Sequence, residues 1–322
     1  MSKSVKNFDI IGKHKICFLI PALIIIAGIV VTLLLGLNIG IDFEGGTIVN
    51  VSFNADLSNE AYNAELAKVV NVIESNGLVV AQKQRAYDEG TVVTVRYENK
   101  GTTDDMIALN EKVDGELNEL YRSEIDEGSV LITKDTISST ASQELLLRAT
   151  IAIVAAAIVM LIYIGFRFDW KSGLAAIIAL IINVLIMFSC TAIFQIQINT
   201  TFIAAIITIL AYSINATIVI FDRVREHKKK AVHLEKVVEK DIANNAIRSS
   251  FTRTIYATLT TLVTITVLAI IAVPSIREFA LPIIFGLIAG SYSSIYIAPA
   301  LWVLFCGGKL SNKKEKEVTA SK

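Results

Sequence analysis

Six apolar runs, each close to the length of a bilayer crossing, constrain this chain more than any motif in it. They lie at Ile16 to Leu37, Leu145 to Phe166, Ser172 to Phe194, Thr201 to Phe221, Ile255 to Val273 and Phe279 to Phe305. At a rise of about 1.5 Å per residue, about 20 apolar residues cross the hydrocarbon core. Hydrophobic residues make up 53% of the chain, and these runs are too long and too free of charge for core helices of a soluble domain. The expectation is a polytopic α-helical membrane protein with six transmembrane helices. Lys13 and Lys15 precede the first run, as in a signal peptide. That run is too long for a signal core, has no convincing small-residue cleavage site after it, and precedes five more, so it reads as a retained anchor.

The bases set the expected orientation. Lys3, Lys6, Lys13 and Lys15 precede the first span, and Arg167 and Lys171 join the second and third. Arg223, Arg225, Lys228, Lys229, Lys230, Lys236, Lys240 and Arg248 fill the expected loop after the fourth, and Lys309, Lys313, Lys314 and Lys316 follow the sixth. By the positive-inside rule, both termini and these loops face the cytoplasm. The expected organisation is a cytoplasmic N-terminus (1–15), a first transmembrane helix (16–37), an extracytoplasmic domain (38–144), a five-helix bundle (145–306) and a cytoplasmic tail (307–322). The net charge of zero, 30 bases against 30 acids, hides this polarity, because the outer segment is acidic and the inner side basic. Topology and solubility account for that asymmetry; an acidic binding surface is the alternative. Cys17, Cys190 and Cys306 fall in or at the ends of apolar runs, which suggests neither a disulfide framework nor a thiolate metal site.

In the outer segment, Ile48 to Phe53 alternates as a strand, and Asn59 to Glu74 repeats Leu66, Val69, Val70 and Ile73 at helical spacing. Leu78 to Tyr87 and Thr91 to Tyr97 read as strands meeting at Asp88, Glu89 and Gly90. Thr103 to Tyr121 carries Met106, Leu109, Val113 and Leu117 on one helical face, and Ser129 to Ile137 reads as a last strand. The order β-α-β-β-α-β predicts an extracytoplasmic α+β ferredoxin-like domain. No His pair, Ser-His-Asp set, phosphate-cradling glycine loop or metal-ligand cluster occurs in it. The reading is therefore not an enzyme, with no catalytic residues, metal or cofactor. Ahead of the first strand stands IDFEGGT, where Asp42, Gly45, Gly46 and Thr47 either re-aim the chain from membrane to sheet or serve recognition.

The fourth span, TTFIAAIITILAYSINATIVIFDRVRE, holds Asn215 within its apolar run and stops at Asp222, Arg223 and Arg225. A polar side chain inside such a span is costly enough to suggest a task, and an ordinary interhelical hydrogen bond is the competing reading. Asp222, Arg223 and Arg225 either lock the cytoplasmic end of the span or mark it. Lys228 to Lys230 read as topology determinants that touch anionic lipid. Gly286, Gly290, Ser291, Ser293 and Ser294 form a small-residue stripe, more typical of a close helix contact than of a substrate path.

IDFEGGT after span one, AYSINATIVIFDRVRE in span four, SFTRTIYATLTTL opening span five and GLIAGSYSSIYIAPAL in span six occur in one order. Together they resemble the SecF family, a subunit of the bacterial accessory translocase SecDF, with a membrane plan similar to half of an RND-type transporter. The resemblance implies protein export in the bacterial cytoplasmic membrane. It implies a heterodimer with SecD that works beside the SecYEG channel on an emerging polypeptide, driven by an ion gradient rather than ATP, with membrane lipid and no nucleic acid as surroundings.

The match departs where coupling chemistry is expected. The family's span-four acid is Ala216 here, following Asn215, and its His-Asp pair in span three corresponds to Ile182 and Asn183. Arg253 matches the family's basic residue in span five. A proton relay needs a group that titrates near working pH, yet the spans hold no Asp or Glu away from their ends, and His14, His227 and His233 all lie on the expected cytoplasmic side. Three readings follow. SecD supplies the carboxylate, with Arg253, Asn215 and Thr217 setting its pKa; or Asn, Ser and Thr oxygens, Asn183 among the candidates, help hold a cation such as Na⁺ beside a partner acid; or the subunit is an uncoupled scaffold. The cofactor expectation is accordingly none, beyond a proton or sodium gradient acting through the partner. The alternative of a different class is an RND-like transporter subunit for lipid or small molecules.

Overall fold

The computed structural model describes residues 11–87, 90–98, 103–231, 238–271 and 274–307. Expectations placed on Lys3, Lys6, Asp88, Glu89, His233, Lys236, Val273 and the lysines from Lys309 to Lys316 fall outside the described residues, as do those on the side chains of Lys13, His14 and Met106. Helix α1 is His14–Leu35 and α2 Ile41–Glu44, followed by β1 Gly46–Phe53, α3 Asn59–Ser75, β2 Val79–Tyr87 and β3 Thr91–Glu98. Next come α4 Thr103–Leu120, α5 Arg122–Asp126 and β4 Val130–Ile137. The remaining helices are α6 Ser139–Arg167, α7 Trp170–Ile193, α8 Thr200–Ala231, α9 Glu239–Ile271, α10 Pro274–Tyr292 and α11 Ala298–Phe305.

Six helical segments are long and apolar enough to cross a membrane, and they coincide with the six expected runs. Their ends differ. Helix α8 continues through Arg223 to Ala231, and α9 begins at Glu239, so most of what was expected as a loop between spans four and five is helical. Hydropathy marks where a helix leaves the hydrocarbon, whereas Ala, Arg, Lys and Glu propagate a helix as well as apolar residues do. Pairs at helical spacing, Arg223 with Glu226 and Glu226 with Lys230, support the polar extension of α8. The sixth span is not one uniform helix. Between α10 and α11 the backbone widens into a π turn at Ser293–Ile297.

The chain divides into two compact units, one formed by Met1–Asn38, Ala152–Gln197 and Thr201–Lys322, the other by Ile39–Ile151 and Ile198–Thr200. In the first, α7 and the α10–α11 segment are the most enclosed spans, and the membrane-length window of α6 has no buried residue. The second holds a four-stranded antiparallel sheet in the order β2-β3-β1-β4. Strand β1 is central, with Thr47 opposite Tyr97 of β3 and Thr136 of β4. Val49, Val51, Val93 and Val95 form one core with Val69, Val70 and Ile73 of α3 and Val113 and Leu117 of α4. Alternation thus sends every second residue of β1 and β3 into apolar contact with two helices, the pairing of periods that the sequence pattern implies. Ser58 caps α3 by accepting from the Ala61 N–H at 3.2 Å.

Candidate functional site

Helix α8 presents different chemistry on opposite faces. Ser213 and Thr217 lie a turn apart and are buried, whereas Asn215, between them, is exposed and Ala216 half-buried. Inside the unit, the Thr217 hydroxyl lies 2.9 Å from the Ser294 hydroxyl and 2.9 Å from the Ser213 carbonyl. Ser294 Oγ also lies 3.4 Å from that carbonyl. Ser294 stands in the π turn, and Ser293 beside it donates to the Gly290 carbonyl at 3.1 Å. Hydroxyl-to-carbonyl bonds of this kind keep polar side chains satisfied where no water competes.

Asn183 of α7 faces the same region. It is fully buried, and neither its amide nitrogen nor its carbonyl oxygen has a hydrogen-bond partner among the described residues. A Cβ on Gly290 would lie 3.1 Å from Asn183 Nδ2 and 3.4 Å from Ser213 Oγ, and one on Gly286 only 2.5 Å from Ile209 Cγ1. The small residues of span six therefore admit side chains of α7 and α8 at close range, the helix contact that the stripe suggests. A buried amide left without partners is costly, so Asn183 is a polar group held against its preference.

The other two coupling candidates lie elsewhere. Arg253 of α9 is exposed and makes no hydrogen bond or ion pair among the described residues. Its face continues through Tyr256, Val263 and Val267, all of them at least 48% exposed. On α8, the exposed residues between Thr200 and Asn215 are the small Thr201, Ala204 and Ala211 and the larger Tyr212. The structure thus brings Thr217 and Asn183 into the interior of the unit and leaves Asn215 and Arg253 on its outside. Among the described residues, no group of three His, Cys, Asp or Glu side chains is placed to hold a metal ion.

The IDFEGGT segment is built to turn. Asp42 Oδ2 accepts from the backbone N–H of Thr200 at 2.7 Å, the first residue of α8, where a carboxylate also meets the positive end of the helix dipole. Glu44 pairs with Arg96, which also donates to the Ile39 carbonyl. Gly46 has φ 122°, and a Cβ there would stand 2.7 Å from the Tyr97 carbonyl, so only glycine starts β1 in this way. Thr47 is fully buried, its hydroxyl 3.0 Å from that of Thr136 and 3.4 Å from Asn110 Oδ1, which also receives the Tyr97 hydroxyl at 2.6 Å. Burial pushes the Tyr97 phenol up to about 12, partly offset by the Thr47 hydroxyl.

At the far end of span four, Asp222 takes two bonds from the Arg167 guanidinium of α6, at 2.9 and 3.0 Å. Arg223 turns instead to Glu226, and Arg225 has no partner among the described residues. The link from Arg167 to Asp222, the polar seam of Ser213, Thr217 and Ser294, and the π turn go beyond what the sequence pattern predicts. A hydroxyl repeated at i and i+4, as in Ser213 and Thr217, is the signal that would have exposed the seam.

The sequence profile of the family described as protein export membrane protein SecD/SecF, C-terminal, matches residues 119–307. The chain is 34% identical to the protein translocase subunit SecF of Sebaldella termitidis over 282 residues, which covers 87% of this chain and 86% of that one. It is 32% identical over 314 residues to the protein translocase subunit SecDF of Bacillus subtilis, covering 95% of this chain and 39% of that longer relative. The crystal structure of SecDF, a translocon-associated membrane protein from Thermus thermophilus, superposes with a TM-score of 0.75 at 27% identity, covering 94% of this chain and 39% of that one.

Proposed function

Because the chain belongs to the SecD/SecF family of protein export membrane proteins, we propose that it is a SecF-like accessory subunit of the bacterial Sec protein translocase, with ion coupling completed by a SecD partner. Relatives named as translocase subunits across most of its length support the export role. The longer SecDF relatives, of which this chain spans 39%, support a partner that supplies the remainder. SecYEG and the exported polypeptide follow from that role as the remaining partners.

The observation that carries partner coupling is the exposure of two polar side chains on membrane-length helices, Asn215 of α8 and Arg253 of α9. A guanidinium with no partner among the described residues, on the exposed side of a membrane-length helix, is expensive against lipid and acceptable against protein or water. Small residues along α8 permit another helix to approach closely. A carboxylate from that helix would find a cation to favour its ionised form and lipid exclusion to oppose it, the balance that brings a buried acid into working range. Ala216, half-buried beside Asn215, leaves room for such a group rather than providing one.

The basic ends of α6, α7 and α8 support a cytoplasmic location for both termini. The sheet order β2-β3-β1-β4 with two helices packed on one face supports a ferredoxin-like reading of the smaller unit, on the outer side. Export by proteoliposomes containing this chain, its SecD partner and SecYEG, under proton and sodium gradients applied separately, tests the proposal. Stimulation by one gradient is expected; export unchanged by either would leave an uncoupled scaffold.

A further inference from the structure

Where α6 ends at Arg167 and α7 begins at Trp170, a cleft of about 250 Å³ opens among helix ends. Its wall is apolar and buried, made by Phe221 and Trp302, and its rim is basic, with Arg167, Arg225 and Lys228 against one acid, Asp169. Two of the cations are committed: Arg167 to Asp222, and Lys228 to Asp169 at 3.2 Å. Arg225 is not, having no hydrogen bond or ion pair among the described residues.

Ser172 also lines this cleft. It is only 7% exposed, and its hydroxyl has no partner among the described residues. It belongs to the first turn of α7, a 24-residue helix whose N-cap, Asp169, makes no side-chain capping bond. The first backbone N–H groups of such a helix are donors seeking an acceptor, at the positive end of its dipole. A guanidinium and a hydroxyl, both without partners among the described residues, thus line one small space beside an uncapped helix start, and an anion with several acceptor oxygens satisfies all of them. Phe166, 90% exposed, lines the cleft, and Trp170, 81% exposed and next in sequence to the lining residue Asp169, is of the residue type that settles at headgroup level.

We propose that this cleft binds a phosphate group, with Arg225 and the Ser172 hydroxyl as its principal ligands and Lys228 holding the Asp169 carboxylate neutralised beside it. An anionic phospholipid headgroup and a soluble phosphate share this chemistry. Trp302 in the wall supplies a probe once Trp170, the other of the chain's two tryptophans, is changed to Phe. The Trp170→Phe chain in nonionic detergent is titrated with phosphatidylglycerol and, separately, with inorganic phosphate.

Saturable change in Trp302 emission is expected. Ser172→Ala and Arg225→Gln should each weaken it roughly five- to tenfold, the loss of one charge-assisted bond. Lys229→Gln, which removes the same charge outside the cleft, should leave it unchanged. Saturation by the lipid alone assigns the site to a headgroup, and saturation by both with mutual competition assigns it to the phosphate group itself. No saturable response to either, or equal weakening by Arg225→Gln and Lys229→Gln, would overturn the proposal, the latter because diffuse surface charge then suffices.

Discussion

Thr217 and Asn215 are two positions apart on one helix and belong to different environments. Thr217 is bonded on both sides within the unit, so Thr217→Val should lower resistance to denaturant in bicelles by about 0.6–1.7 kcal/mol, the range of interhelical hydrogen bonds in membranes. Arg253 has no such partners, and Arg253→Ala should leave that resistance unchanged while reducing gradient-stimulated export by about tenfold, equivalent to roughly 1.4 kcal/mol of coupling. Loss of stability without loss of coupling would show Arg253 to be structural. Tyr97 makes a pH prediction. Its phenol is held neutral by burial, with a folded pKa of about 12 against an ordinary 10, so this contribution to stability is fully present below pH 10 and disappears as pH rises through about 12. Tyrosinate absorbance of the folded chain should show a late-titrating fraction that includes Tyr97 and Tyr121, and Tyr97→Phe should reduce that fraction by one tyrosine. The residue types at these positions are readable in the sequence, but their faces are not. Helical spacing separates Thr217 from Asn215 without saying which one looks inward, because in a membrane both the packed and the lipid-facing sides are apolar.

At the scale of elements, the spans and strands are legible because their periods differ: continuous apolar runs for the helices, alternation for Gly46–Phe53 and Thr91–Glu98. The π turn at Ser293–Ile297 is not, since a widened turn leaves hydropathy unchanged. Nor is the polar extension of α9 back to Glu239, which a hydropathy threshold cuts off. Helix contacts carry two predictions. A Cβ on Gly28 of α1 would fall 2.4 Å from Ser189 Cβ and 2.6 Å from its Cα on α7, so no side-chain rotation relieves it. Gly28→Ala should therefore force the helices apart and cost about 1–3 kcal/mol in the same denaturation assay, whereas an unchanged midpoint would mean that α1 is loosely held. Asp42→Ala removes the carboxylate at the start of α8 and should cost about 0.5–2 kcal/mol, with Asp42→Asn recovering most of it because the amide oxygen still accepts from Thr200.

For the whole molecule, the larger unit bonds most of its seam internally, leaves the buried Asn183 amide without a partner among the described residues, and is open on its outer faces. Its interior seam bonds hydroxyls to carbonyls, while α6 has no buried residue in its membrane-length window, and Arg253 on the exposed side of α9 has no partner among the described residues. The proposed coupling places a second chain against this exposed cation, so contact between the chains comes before any chemistry they share. Photocrosslinking from a benzophenone-bearing residue at Asn215, in membranes holding the SecD partner, tests that claim directly. A dominant adduct with SecD is expected, lost when the probe is moved to buried Ser213. Adducts with lipid alone from Asn215, with SecD present and assembled, would contradict it.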